Sequence, residues 1–151
     1  MTKLSVFDVA NYFLSQVDHD AEDCISNLKL QKLCYYAQGL YLAIHGERLF
    51  DETLQAWQHG PVVPRLYHKY KTNGNNCLLP DPEFKPSSIP VEIRDFLNEV
   101  YNEYGQYSAW RLRDMTHTET PWISSYNKKV DDEISDESMI KFFKMRITDV
   151  N

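Results

Sequence analysis

Four of the five histidines, His45, His59, His68 and His117, carry the side-chain type best suited to holding a metal or moving a proton near neutral pH. Their neighbours give them nothing to act with. No HExxH pair, G-x-S-x-G turn, phosphate-binding Gly-rich loop or dinucleotide fingerprint occurs anywhere in the chain. His117-Thr118-Glu119 repeats half of the zinc-deaminase pattern, but the Pro-Cys-x-x-Cys that completes the metal site is missing. The segment reads instead as a link between helices in which His117 and Glu119 bond backbone groups. Asp131, Asp132 and Glu133 have hard-cation chemistry, yet an acidic run of this kind is ordinarily a solvated loop. Ser124 and Ser125 have no base arranged beside them. The expectation is a protein that is not an enzyme and holds no metal or cofactor. A pocket gathering His59, His68 and His117 would reopen the question.

Recognition has more to work with than catalysis. Leu54 to Lys71 reads LQAWQHGPVVPRLYHKYK, a strand-like aromatic piece that collapses into His59-Gly60-Pro61 and passes at once into a helix. Glycine adopts backbone conformations that other residues resist, while Pro61 and Pro64 each fix a φ angle and remove a donor. The result is a rigid corner at which Trp57, His59 and Tyr67 can converge. Arg65 and Lys69 share a helix face at i,i+4 spacing, interleaved with Tyr67, His68 and Tyr70. Basic residues among rings can contact nucleic acid, hold a protein, or form a solvated face. The candidate partner-binding residues are therefore Trp57, His59, Gly60, Pro61, Arg65, Tyr67, His68 and Lys69.

These residues need elements to hold them. Ser5 caps a first helix, with Asp8 completing a capping box and Val6, Val9, Ala10, Phe13 and Val17 forming its apolar face. Ser26 or Asn27 caps a long second helix to about Ile44. Its stripe is Leu30, Leu33, Cys34, Ala37, Leu40 or Tyr41, and Ile44, and Gly46 is a left-handed stop. Gly39 in its interior marks a close helix contact. Between Glu47 and Trp57 the period changes, predicting two short strands around Asp51-Glu52. A helix follows from Val63 to Lys71, then a proline-punctuated loop over Asn75 to Ser88. Pro90 opens a third long helix, ended by Gly105, and Ser108 caps a short one through Met115. Thr120-Pro121-Trp122 starts another. Ser135 caps a terminal helix, with Ile134 and Met139 placed as a hydrophobic staple. The fold expected is mostly α, a single helix-dominated domain over residues 1–151 with a small β-hairpin. Trp57, Trp110 and Trp122 are expected to anchor its core.

Composition narrows the classes further. Twenty aromatic residues, ten of them Tyr, serve either a Tyr-rich core or an aromatic binding face. A net charge of −6 argues against general nucleic-acid binding and permits a basic partner. Three cysteines without a CxxC imply neither a disulfide framework nor a zinc site, and Cys34 falls within an apolar stripe. Lys3 is followed by Asp8 and Asn11 rather than by a signal-peptide apolar core, and no run approaches a membrane span, so the expected location is cytoplasmic.

The same residues resemble a known family, the Panacea domain of bacterial and phage toxin–antitoxin pairs, which includes SocA-like antitoxins and phage-associated GepA-like proteins. The likeness runs through Leu28 to Gly39 (LKLQKLCYYAQG), Leu49-Phe50, Glu52 and Gln55-Ala56-Trp57. It continues in His59 to Pro64 and Leu66-Tyr67, and a second block follows in Tyr104-Gly105, Ser108-Ala109, Leu112, Thr116-His117, Glu119 and Pro121-Trp122. The resemblance implies a non-enzymatic antitoxin that neutralises a protein toxin encoded nearby, either by direct binding or as an adaptor that delivers the toxin to a bacterial protease. Some relatives carry an added DNA-binding region, for which this chain has no spare length. The competing reading is a nucleic-acid-associated regulatory phage protein using Arg65, Lys69, Arg111 and Arg113. No membrane partner is implied.

Overall fold

The computed structural model describes residues 4–17, 24–126 and 133–149. Asp131, Asp132 and the His19–Asp23 loop lie outside the described residues, so the acidic-loop reading is represented there only by Glu133.

Local signals set most of the elements. Helix α1 (Val6–Gln16) starts at Ser5, whose hydroxyl accepts from the Asp8 N–H while Asp8 takes the Ser5 N–H, the reciprocal box expected. Helix α2 (Asn27–His45) is capped by Ser26, whose hydroxyl accepts from the Lys29 N–H, and ends at Gly46 with φ 73°. Strands β1 (Gln55–Trp57) and β2 (Gly60–Val62) form an antiparallel hairpin in which Trp57 faces Gly60 and Gln55 faces Val62. Helix α3 (Pro64–Tyr70) follows directly, with proline in its first turn. It runs into a 3-10 turn at Lys71–Asn73. Helices α4 (Val91–Tyr104), α5 (Ala109–Thr116), α6 (Thr120–Tyr126) and α7 (Asp136–Asp149) complete the described chain. Ile134 and Met139 are both buried at the start of α7. The architecture is helix-dominated, with one two-stranded sheet among the described residues.

The hairpin sits one step later in the chain than Leu49-Phe50 suggested. Leu49 and Phe50 do not form a strand against the Trp57 segment; Phe50 makes a single parallel bridge to Leu4. The reason is a side chain. Gln38 accepts from the Leu49 and Phe50 N–H groups at 2.8 and 3.3 Å and donates to the Phe50 carbonyl at 2.7 Å. Once an amide side chain satisfies that backbone, no neighbouring strand is required.

Gln38 is one of a series along α2, the helix against which α1, α3, α4, α5, α7 and β2 all pack. Lys29 Nζ donates to the Gly105 carbonyl at 2.7 Å, where α4 ends. Gln31 Oε1 accepts from Val63 N at 2.9 Å, and Lys32 Nζ donates to the Pro61 carbonyl at 3.1 Å. Tyr35 and Tyr36 donate their hydroxyls to the two oxygens of Glu119 at 2.9 and 2.8 Å. All are buried. The helix is therefore covered nearly all round instead of along one stripe, and at its far end Ile44 is exposed, contrary to the expected stripe. Gly39 is the close contact predicted: a Cβ built there would run into the Phe143 ring of α7.

Two further expectations are corrected. Cys24 and Cys77 form a disulfide across 53 residues of sequence, leaving Cys34 free and buried. The long loop doubles back so that Leu78 N donates to the Ile25 carbonyl at 2.9 Å, which lays one cysteine beside the other. Sequence spacing carries no trace of that return. The tryptophans anchor the core only in part: Trp122 is half-buried and packs against it, Trp57 is half-buried at the hairpin, and Trp110 is 58% exposed.

Candidate functional site

A groove of about 440 Å³ opens between the N-terminal half of α2, the hairpin, α3 and the start of α5. Lys32 and Gln31 contribute from α2, Trp57 and His59 from the hairpin, Tyr67 and Lys71 from α3 and its 3-10 turn, and Trp110 from α5. Gly74 and Asn75 close one end, a few residues from the disulfide that ties this loop to α2.

The walls are held by bonds that cross between elements. Asn27 donates to the Tyr67 carbonyl at 3.2 Å and accepts from Gln31 at 2.9 Å, so α2 fixes both the exit of the hairpin and α3. Trp57 meets Tyr67 edge to face at 5.0 Å and is fastened from behind by α6, where Trp122 Nε1 donates to the Trp57 carbonyl at 2.8 Å. On the opposite wall Arg113 Nε donates to His59 Nδ1 at 3.0 Å. That bond fixes the ring proton on Nε2, leaving an N–H donor at the rim. The Arg113 guanidinium also lies 5.1 Å from the Trp110 ring centre, and Trp110 meets His59 edge-on at 5.6 Å. Cation and ring contacts thus stiffen an exposed tryptophan.

The predicted site residues divide into three groups. Trp57, His59 and Tyr67 do converge on the groove. Gly60 and Pro61 are buried behind it; Gly60 has φ 109°, which L side chains rarely adopt, and a Cβ there would also lie 2.5 Å from Lys32 Cε and 2.8 Å from Thr116 Oγ1. Arg65, His68 and Lys69 are exposed on the outer side of α3, where Arg65 and Lys69 lie 5.9 and 5.4 Å from the Phe7 ring centre. The groove does not gather the histidines: it contains His59 but neither His68 nor His117. Of the basic residues in the competing reading, Arg111 is exposed, and Arg113 bridges to Asp114 at 3.1 Å as well as holding His59.

Sequence reasoning missed Lys32 and Trp110. Lys32 is wholly buried, and among the described residues no carboxylate pairs with it. Burial, and secondarily the Arg113 charge, lower its pKa from 10.5 to about 7. Its position between Gln31 and the apolar Leu33-Cys34 of a long helix was the signal available. Glu119 was also misread: it bonds the Tyr35 and Tyr36 hydroxyls and lies 3.5 Å from Arg146, not backbone groups. Desolvation raises its pKa to about 7, against the pull of the two tyrosine hydrogen bonds and Arg146. His117 does bond the Gln58 backbone and stacks on Trp122 at 4.0 Å; desolvation first, then Arg113, lowers its pKa. Its Nε2 is buried without a partner among the described residues.

Among the described residues no group of three or more His, Cys, Asp or Glu is disposed to hold a metal. No helix among them is long and apolar enough to cross a membrane. What the site offers is a preformed concavity with aromatic walls, lined also by Lys32 and Lys71, suited to binding.

Comparison with known proteins points the same way. The family described as Antitoxin SocA-like, Panacea domain, matches residues 30–123, which include the groove's Gln31, Lys32, Trp57, His59, Tyr67 and Trp110. Antitoxin SocA of Caulobacter vibrioides (strain NA1000 / CB15N) is 46% identical over 109 residues, 65% of this chain and 58% of that relative. The matched part therefore spans somewhat over half of the relative's length. No solved structure matches the chain.

Proposed function

Because the chain belongs to the SocA-like, Panacea-domain antitoxin family, we propose that it is an antitoxin that neutralises a protein toxin encoded beside it by binding that toxin directly. Family membership carries the word antitoxin. The groove supports the direct mode of action, since aromatic residues already held in place lose little conformational freedom when a partner docks. Trp57, His59 and Tyr67, joined by Trp110, form the contact surface. Gly60 and Pro61 set its shape, and Arg65, His68 and Lys69 extend it along the outer side of α3. The chain acts as one antitoxin domain, in the cytoplasm, without a cofactor or catalytic step of its own.

The test is co-expression with the adjacent gene under separate inducers, scored by colony growth and followed by co-purification. Growth arrest by the neighbour alone, relieved together with a stable complex, is the expected result. Relief without a complex, accompanied by protease-dependent loss of the toxin, would replace direct binding with delivery for proteolysis. A neighbour that is harmless by itself would remove the toxin from the proposal.

A further inference from the structure

We infer that the groove recognises an acidic segment of its protein partner, seating a carboxylate over Lys32 between the rings of Trp57, Tyr67 and Trp110. The inference rests on the toxin-binding reading and specifies what that site reads.

The argument begins with charge placement. The chain has 22 Asp and Glu residues against 16 Lys and Arg, yet no acidic residue lines the groove, while Lys32 and Lys71 do and His59 adds an N–H donor. A second cleft, between α2, α4 and α7, shows the contrast: Glu99 and Glu103 line it together with Arg146. An acid-free, cation-bearing concavity on an acidic protein complements a negative ligand.

Lys32 sharpens the point. Burial lowers the pKa of Lys32 to about 7; when protonated it carries three donors, and only the Pro61 carbonyl takes one. A buried charge ordinarily comes with a counter-charge, since leaving water uncompensated is costly. Among the described residues Lys32 has none. A carboxylate entering the groove would restore the pairing, and water exclusion by the rings would strengthen it. Asn27 and Gln31 each already give one amide N–H, to the Tyr67 carbonyl and to Asn27 Oδ1, whereas a protonated Lys32 keeps two donors.

The rings identify the carrier. Trp110, largely exposed, and Tyr67 beside Trp57 are residue types that concentrate binding energy at protein interfaces. Aspartate or glutamate flanked by apolar side chains fits such walls. A nucleic acid would also bring negative charge, but it needs a basic track for successive phosphates, and the lysines lining the groove are two, Lys32 and Lys71. The partner as a whole can still be basic: the net −6 attracts it from a distance, and the groove decides which part docks.

A random twelve-residue phage-displayed peptide library, selected on the immobilised full chain, tests this without any toxin. Parallel selections use Lys32→Met and Lys71→Glu; Lys71 is exposed, so its variant folds even if Lys32→Met does not. The pool from the unmodified chain is expected to be enriched in Asp and Glu. A fluorescein-labelled peptide from it should bind at least about 10-fold more weakly to Lys71→Glu, and to Lys32→Met and Trp110→Ala where these fold. An oligouridylate of about 12 nucleotides should not displace it. Neutral or basic pools, equal affinity for Lys71→Glu, or displacement by the oligouridylate would overturn the inference. Acidic enrichment alongside a harmless neighbouring gene would sink the antitoxin reading and leave the groove's preference standing; rescue of growth with non-acidic pools would do the reverse.

Discussion

Replacing Gly60 with alanine separates the shape of the corner from its contacts. The residue has φ 109°, a region L side chains rarely occupy, and its added methyl would lie 2.5 Å from Lys32 Cε and 2.8 Å from Thr116 Oγ1. Comfortable carbon contacts begin near about 3.5 Å, so something must move by roughly 1 Å. Neither neighbour is free to yield. Lys32 is tied to the Pro61 carbonyl at 3.1 Å, and Thr116 Oγ1 donates to the Arg113 carbonyl at 2.7 Å. Backbone strain costs about 1–2 kcal/mol and overpacking about 1–3 kcal/mol, giving a destabilisation of roughly 2–5 kcal/mol. Gly46→Ala is the control: φ is 73° there, but nothing lies within 4 Å of the added carbon, so strain alone applies, about 1–2 kcal/mol. Urea unfolding of both variants at constant m-value reads the difference directly. Adding Lys32→Ala should make the Gly60 substitution cheaper, with a coupling of about 1 kcal/mol or more. Equal urea midpoints for the two glycine variants, or no coupling to Lys32, would refute the claim that Lys32 packs beneath the corner.

Three further outcomes follow from the same geometry. Native Lys32 loses its proton near pH 7 and the unfolded chain only near 10.5, so between those values the unfolded state binds more protons and stability rises with pH, by up to about 5 kcal/mol. Chemical denaturation of the unmodified chain and Lys32→Met at pH 7 and 9.5 should show that this part of the slope disappears in the variant; identical slopes would count against a buried titrating lysine. Trp110→Ala should shift stability by no more than about 0.5 kcal/mol, because the ring is largely exposed, yet weaken the complex with the co-expressed neighbour by about 2 kcal/mol or more. Calorimetric titration and thermal melts check the two halves separately. Finally, the Cys24–Cys77 link closes a loop across 53 residues, for which chain entropy gives about 4 kcal/mol of stabilisation. Dithiothreitol should lower the melting temperature of the unmodified chain and leave a Cys24→Ser/Cys77→Ser variant unchanged. Reducing compartments disfavour such links, so the oxidised state of the protein isolated from cells bears on the expected cytoplasmic location.

How much of this was legible beforehand depended on the range of each interaction. Ser5 with Asp8, Ser26, Gly46, Pro64 and Ser108 act within one turn of backbone, and the sequence by itself determined those helix ends. It also determined the His59-Gly60-Pro61 corner and the convergence of Trp57, His59 and Tyr67, because glycine and proline restrict the chain locally. Gly39 was readable as a contact, though not Phe143 as the residue it meets. Tertiary structure alone decided the rest. Gln38 replaced a strand for Leu49 and Phe50, Glu119 met two tyrosines more than 80 residues away, and Cys24 met Cys77 through a returning loop. Lys32 illustrates the physical reason. A lysine in a helix looks like a solvated residue until other elements cover it, and only their arrangement fixes whether water, a carbonyl or a partner's carboxylate answers its charge.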